Sequence, residues 1–167
     1  MSTKDFSSIQ ENKVADYLGF CVVSGSGARD CHPGDIIGKE WLGECKTHIS
    51  KVSRISFKLD VWKKICDEAI AKHRYPVLIV DEGSQELDNT WVMVNISSLS
   101  RDFSKIEINS NIAQISKNTI SFLNRDTKKV YDRCVFCLNT SKVVMSMIAY
   151  DEEVGFMPLS VFKEVVS

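Results

Sequence analysis

Nothing in this 167-residue chain approaches the roughly eighteen consecutive apolar residues of a membrane-spanning helix. The opening stretch, Met1 to Lys13, is polar and lacks the apolar core of a secretory signal. The expectation is a cytoplasmic protein with no membrane partner. An excess of one charge is missing too: 21 Lys and Arg face 22 Asp and Glu, for a net charge of −1. There is no internal repeat and no low-complexity linker. The Gly/Ser stretch at 24–27 is not followed by the Lys-Ser/Thr pair of a P-loop, which excludes that mode of nucleoside triphosphate binding. Six cysteines without a secretory signal argue against disulfides. Cys134 and Cys137 form one CxxC with no second CxxC or His pair after it. With only Cys31-His32 as distant partners, zinc is a lesser alternative to reduced, packed cysteines.

What is present is the composition of an ordinary globular domain, 44% apolar and 26% charged, and the length suffices for one core. The charge is unevenly spread. Residues 24–74 hold ten Lys/Arg against seven Asp/Glu, and the remainder eleven against fifteen. A locally basic face on a near-neutral protein is compatible with a DNA partner, although such runs are commonly plain solvated surface.

Phe6, Ile9, Val14, Tyr17 and Leu18 lie near helical spacing and predict a first helix from about Phe6 to Leu18, ending before Gly19. Phe20 to Val23 reads as a strand, and Ser24 to Ala28 as a loop. A hairpin follows, with its turn at Gly38-Lys39-Glu40. Leu59, Trp62, Ile65, Cys66, Ala69 and Ile70 mark a helix over about 57–72, stopped at Tyr75-Pro76. Val77 to Val80 is a short apolar run suited to a central strand. Asp88-Asn89 is a turn before the strand Trp91 to Val94. The order αβββαβ, with the second helix as a crossover, predicts an α/β fold with one mixed sheet flanked by helices. Residues 97–167 are less legible and read as an elaboration of the same domain. They carry a short helix over 97–103, polar chain over 109–127 with a turn at Asn124-Arg125-Asp126, strands over 135–138 and 143–150, a turn at Asp151-Glu152-Glu153, and a closing helix over 160–166.

The chemistry concentrates at Pro33-Gly34-Asp35 and Glu44-Cys45-Lys46. Strand side chains alternate faces, so Glu44 and Lys46 share one face and Cys45 takes the other. The hairpin would bring Asp35 beside Glu44. Two carboxylates converging with one ammonium suit metal-assisted phosphodiester hydrolysis. Carboxylate oxygens are ligands for Mg²⁺, with Mn²⁺ as a substitute. The metal polarises the phosphate, and the Lys orients water and offsets developing charge. Asp35 and Glu44 are therefore the metal-holding candidates, and Lys46 joins them as a catalytic residue. Arg29, Lys51, Arg54 and Lys58 flank them as phosphate contacts. His48 shares the strand face of Lys46 if the strand continues, and Ser24 and Ser26 belong to a loop able to cradle a phosphate. Each of these also has an ordinary reading as exposed surface. Ser8-Ile9-Gln10-Glu11 has the pattern of a capping box, which would make Glu11 a mere helix-start residue.

In these residues the chain resembles the PD-(D/E)xK nuclease superfamily. Pro33-Gly34-Asp35 is similar to its PD with one residue inserted, and Glu44-Cys45-Lys46 matches (D/E)xK. Glu11, Gly19-Phe20, Ser24-Gly25-Ser26-Gly27 and Glu44-Cys45-Lys46-Thr47 resemble the small Holliday-junction resolvases of archaea and their phage relatives, over about residues 8–94. Where the archaeal enzymes carry an Arg before the loop, this chain has Val22-Val23. The resemblance implies a restriction-endonuclease-like core over residues 1–96 and a C-terminal elaboration over 97–167. It also implies a metal-dependent endodeoxyribonuclease acting on branched DNA as a symmetric homodimer. Glu11 and the backbone carbonyl of Cys45 would complete the metal shell. The alternatives within reach of the sequence are a nuclease of the same fold acting on duplex, flap or single-stranded DNA, and a non-catalytic DNA- or zinc-binding module.

Overall fold

The structure, a computed structural model, describes residues 2–24, 33–100, 102–149 and 151–167. Helix α1 spans Thr3–Leu18 and starts earlier than its apolar spacing predicts. The cause is a capping box one turn upstream. The Asp5 amide donates to the Ser2 hydroxyl at 3.2 Å, and the Ser2 amide donates to the Asp5 carboxylate at 2.9 Å. Residues 8–11 consequently lie inside the helix, so Glu11 is not a cap. Gly19, at φ 72°, ends it in the left-handed conformation.

Strands β1 (Cys21–Val22), β2 (Ile36–Ile37) and β3 (Trp41–Lys46) pair antiparallel in that order, β2 and β3 forming the expected hairpin. Strand β4 (Arg54–Lys58) was not expected; it takes the residues just ahead of α2, which therefore starts at Leu59 and runs Leu59–Ala71. Helix α2 returns the chain to β5 (Tyr75–Asp81), which pairs parallel with β3, and β6 (Thr90–Asn95) pairs antiparallel with β5. Strand β5 carries a nearly continuous buried run, because it lies between β3 and β6.

The second half departs from expectation in several places. Of the helix predicted over 97–103, the described residues form only one 3₁₀ turn, Ile96–Ser98. Strands β7 (Ser104–Glu107), β8 (Ala113–Ser116) and β9 (Thr119–Leu123) occupy chain expected to be irregular or helical. Asn124-Arg125-Asp126 is not a turn but the opening of α3 (Asn124–Leu138), which also absorbs the strand expected at 135–138. The apolar cluster there is the exposed end of a helix, with Phe136 and Cys137 facing solvent. Strand β10 (Val143–Ala149) agrees with the sequence reading. Glu152 and Glu153 belong to β11 (Glu152–Pro158) rather than to a turn, and Asp151 alone takes the left-handed φ of 66°. Helix α4 spans Leu159–Val166.

Eight strands make one mixed sheet in the order β1-β2-β3-β5-β6-β11-β10-β7, and β4-β9-β8 make a separate three-stranded sheet. The C-terminal half thus extends the main sheet by three strands and pairs β9 with β4 of the N-terminal half. Aromatic rings join the two sheets. Phe122 of β9 lies 6.0 Å from Phe57 of β4, 5.2 Å from Trp91 of β6 and 5.9 Å from Phe156 of β11, measured between ring centroids. All four are essentially inaccessible to solvent.

That shared aromatic core predicts one cooperative unfolding transition for the whole chain. Phe122→Ala should cost about 3–5 kcal/mol in denaturant melts and keep a single transition. Two separable transitions would mean that the sheets unfold independently.

Candidate active site

Main-chain pairing places Asp35. Its amide donates to the Gly43 carbonyl at 2.8 Å, and its own carbonyl accepts from the Val23 amide at 2.9 Å. The Asp35 Oδ2 atom accepts from the Cys45 amide at 2.9 Å. The carboxylate is thereby fixed against the strand that carries Glu44 and Lys46. Strand alternation does the rest: Lys46 Nζ lies 2.6 Å from Glu44 Oε1 on one face, and the Cys45 side chain is buried on the other. Burial pushes the Cys45 thiol well above its ordinary value, with the nearby carboxylates adding to the shift. It is neutral packing rather than a nucleophile.

Gly34 makes the turn possible. At φ 71° it adopts a conformation side chains disfavour, and a Cβ there would stand 3.0 Å from the Gly43 carbonyl oxygen. Its amide donates to Glu68 Oε2 of α2 at 3.0 Å, and Glu68 in turn pairs with Lys64 at 3.6 Å. Helix α1 closes the other side. Its buried Gln10 donates through Nε2 to the Lys46 carbonyl at 2.9 Å and to Asp81 Oδ2 at 2.7 Å. Asp81 Oδ1 accepts from the Thr47 hydroxyl at 2.8 Å and the Gly83 amide at 2.5 Å. This network pins α1 to the ends of β3 and β5, and so brings Glu11 to the site.

The result is a cavity of about 290 Å³ lined by Glu11, Asp35, Glu44 and Lys46, with Lys64 on one side and the first turns of α1 on the other. Burial raises the Asp35 carboxyl above its usual value, Glu44 raises it further, and the Cys45 hydrogen bond opposes both. Glu11 is raised by burial and then by Asp35, with Lys46 opposing. Burial alone would lower Lys46, but the charge and hydrogen bond of Glu44 outweigh it and hold the ammonium above its ordinary value. The pocket therefore sets three carboxylates against Lys4, Lys46 and Lys64, and burial still leaves Asp35 and Glu11 raised.

Among the described residues, no three His, Cys, Asp or Glu side chains form a cluster able to hold an ion unaided. Mg²⁺ does not require one, because it is commonly held by one or two carboxylates together with waters and substrate phosphate. Asp35 and Glu44 meet that requirement, and their mutual repulsion is what a divalent cation would relieve. The same finding leaves Cys134 and Cys137, three positions apart on α3, without further ligands among the described residues.

The flanking candidates divide. His48 and Lys58 line a second cavity that also touches Lys46. Lys51 pairs with buried Glu82 at 3.7 Å. Arg54 donates to Gln114 Oε1 at 3.1 Å and to the Ser121 hydroxyl at 3.2 Å, which ties it to the small sheet. Ser24 is exposed after β1, while Ser26 and Arg29 lie outside the described residues. Sequence reasoning missed Gln10, Lys64, Glu68 and Asp81. The i,i+4 spacing of Lys64 and Glu68 was visible on the predicted helix. Gln10 and Asp81 gave no signal, since their partners are 36 and 71 residues away along the chain.

Comparison with protein-family models, with curated proteins and with solved structures finds no match. The described residues include no helix long and apolar enough to cross a membrane.

Carboxyls whose folded values are raised stabilise the fold below their ordinary values, 3.8 for Asp35 and 4.5 for Glu11. That contribution is lost as pH climbs through the raised values. In chelator-treated protein, Asp35→Asn should therefore melt higher than wild type at neutral pH. The advantage should shrink toward zero below pH 3.8, and melting curves across pH would check it. Removing the Gln10 amide leaves buried Asp81 short of a donor, so Gln10→Ala should cost about 1–3 kcal/mol by denaturant titration.

Proposed function

We propose that the protein is a divalent-metal-dependent endodeoxyribonuclease with a restriction-endonuclease-like core, acting on branched DNA and most specifically on four-way junctions. The observation that carries this reading is the convergence of Glu11, Asp35, Glu44 and Lys46 on one open cavity. Each residue has a separate task. Asp35 and Glu44 would hold a Mg²⁺ or Mn²⁺ ion, and Glu11 lines the same cavity from α1. Such a cation would supply charge neutralisation of the scissile phosphate and acidify attacking water. Lys46 would orient that water by donating hydrogen bonds and offset the charge that develops on phosphorus. The Cys45 amide engages one Asp35 oxygen, leaving the other available. The Cys45 carbonyl would be a further oxygen ligand. A four-way junction has two-fold symmetry and needs paired cuts, so the acting species is a symmetric homodimer.

With Mg²⁺, wild type should introduce paired symmetric nicks in a labelled four-way junction and leave the matched linear duplex intact. Asp35→Asn and Lys46→Ala should each lose at least about 100-fold in rate. Equal cleavage of both substrates would replace junction selectivity with a general nuclease. Undiminished cleavage by the two variants would place the chemistry elsewhere.

A further inference from the structure

Lys46 lines two cavities. The carboxylates surround one, and the other, about 220 Å³, is lined by Thr47, His48, Ser56, Lys58 and Val61 over a floor of Leu78 and Val80. The chemistry of the two differs. The first sets Glu11, Asp35 and Glu44 against three lysines; the second, among the described residues, is lined by no carboxylate but by two lysines, a histidine, a threonine and a serine. Its walls come from different parts of the chain, since Ser56 and Lys58 sit on β4, which the small sheet holds in register through Phe57↔Ile120 and Lys58↔Thr119. Ser56 and Lys58 share a face of β4, while Phe57 between them is buried in the core. Two first-turn amides of α2 are already engaged. Leu59 donates to the Asn118 carbonyl at 2.8 Å, and Val61 to the Asp60 carboxylate at 2.8 Å. An anion in this cavity would therefore be held by side chains rather than by a helix end.

We infer that the second cavity is a subsite for a phosphodiester group next to the one cleaved, with Lys58 and Ser56 as its main ligands and Lys46 shared between the two. This rests on the nuclease reading for the identity of the strand, but the phosphate chemistry stands on the lining residues. The subsite separates two functions that one basic patch would blur. Lys46 serves the reacting group, and Lys58 and Ser56 fix the register of the strand, as backbone contacts do. Among the described residues, no acid lines this cavity beside Lys58, whose side chain is exposed.

Two measurements test this without catalysis. First, inorganic phosphate is titrated into metal-free, ¹⁵N-labelled protein. Amide shifts should concentrate at Thr47, His48, Ser56 and Lys58, and Lys58→Ala should weaken the binding about fivefold or more, a loss on the scale of one charge-assisted hydrogen bond. Lys72→Ala, at the far end of α2, is the control and should bind as wild type does. Shifts that avoid these four residues, or equal weakening by both variants, overturn the subsite. Second, DNA affinity of the Asp35→Asn protein is measured against salt concentration. Loss of one phosphate contact in Lys58→Ala should lower the log–log slope by about 0.7–0.9, and an unchanged slope overturns the proposal. If both binding results hold and wild type still cuts no DNA, the subsite stands and the nuclease reading alone falls.

Discussion

The hydrogen bond from the Cys45 amide to the Asp35 carboxylate is the contact on which the site's geometry depends. Asp35 is nearly inaccessible to solvent, and a buried carboxylate without partners is costly. Here the main chain supplies them, with the Asp35 amide and carbonyl also paired to neighbouring backbone. Once Asp35 is locked against β3, strand alternation leaves Glu44 and Lys46 no choice of face. The turn that delivers Asp35 rests on Gly34, and Glu68 of α2 holds that turn from outside. The crossover helix thus both connects parallel strands and braces the site.

Bringing Asp35, Glu44 and Glu11 together works against the fold. Burial and mutual repulsion raise two of the carboxyls, and the nearby lysines, Lys46 first, compensate only in part. Asp81, fully buried, receives donors from Gln10, Thr47 and Gly83. Burial raises both acids, but Asp81 takes donors on both oxygens, while Asp35 takes the Cys45 amide on one oxygen and stands beside Glu44.

The C-terminal half contributes no acid to the cavity, yet the site is shaped by it. Strands β10 and β11 continue the main sheet beyond β6, and β9 holds β4 in place. Strand β4 then supplies Ser56 and Lys58 to the second cavity. The packing of Phe122 against Phe57, Trp91 and Phe156 joins these parts into one core.

Apart from β4, the α1-to-β6 order was legible in the residues, as were the crossover helix and the shared face of Glu44 and Lys46, because each follows from local periodicity and turn chemistry. The same local signals misread Val135 to Leu138 as a strand: a short apolar run at the end of a helix has the look of one when its neighbours are unknown. They also missed β4 and β9, which pair with each other across 60 or so residues, and β8, which closes a tight hairpin onto β9. A strand of mixed polar residues has little intrinsic preference and takes its form from its partner. The convergence of Glu11 on the carboxylates and the network of Gln10 and Asp81 likewise arise from packing α1 across the ends of β3 and β5. Those placements are long-range, and no spacing along the chain encodes a contact between residues 71 positions apart.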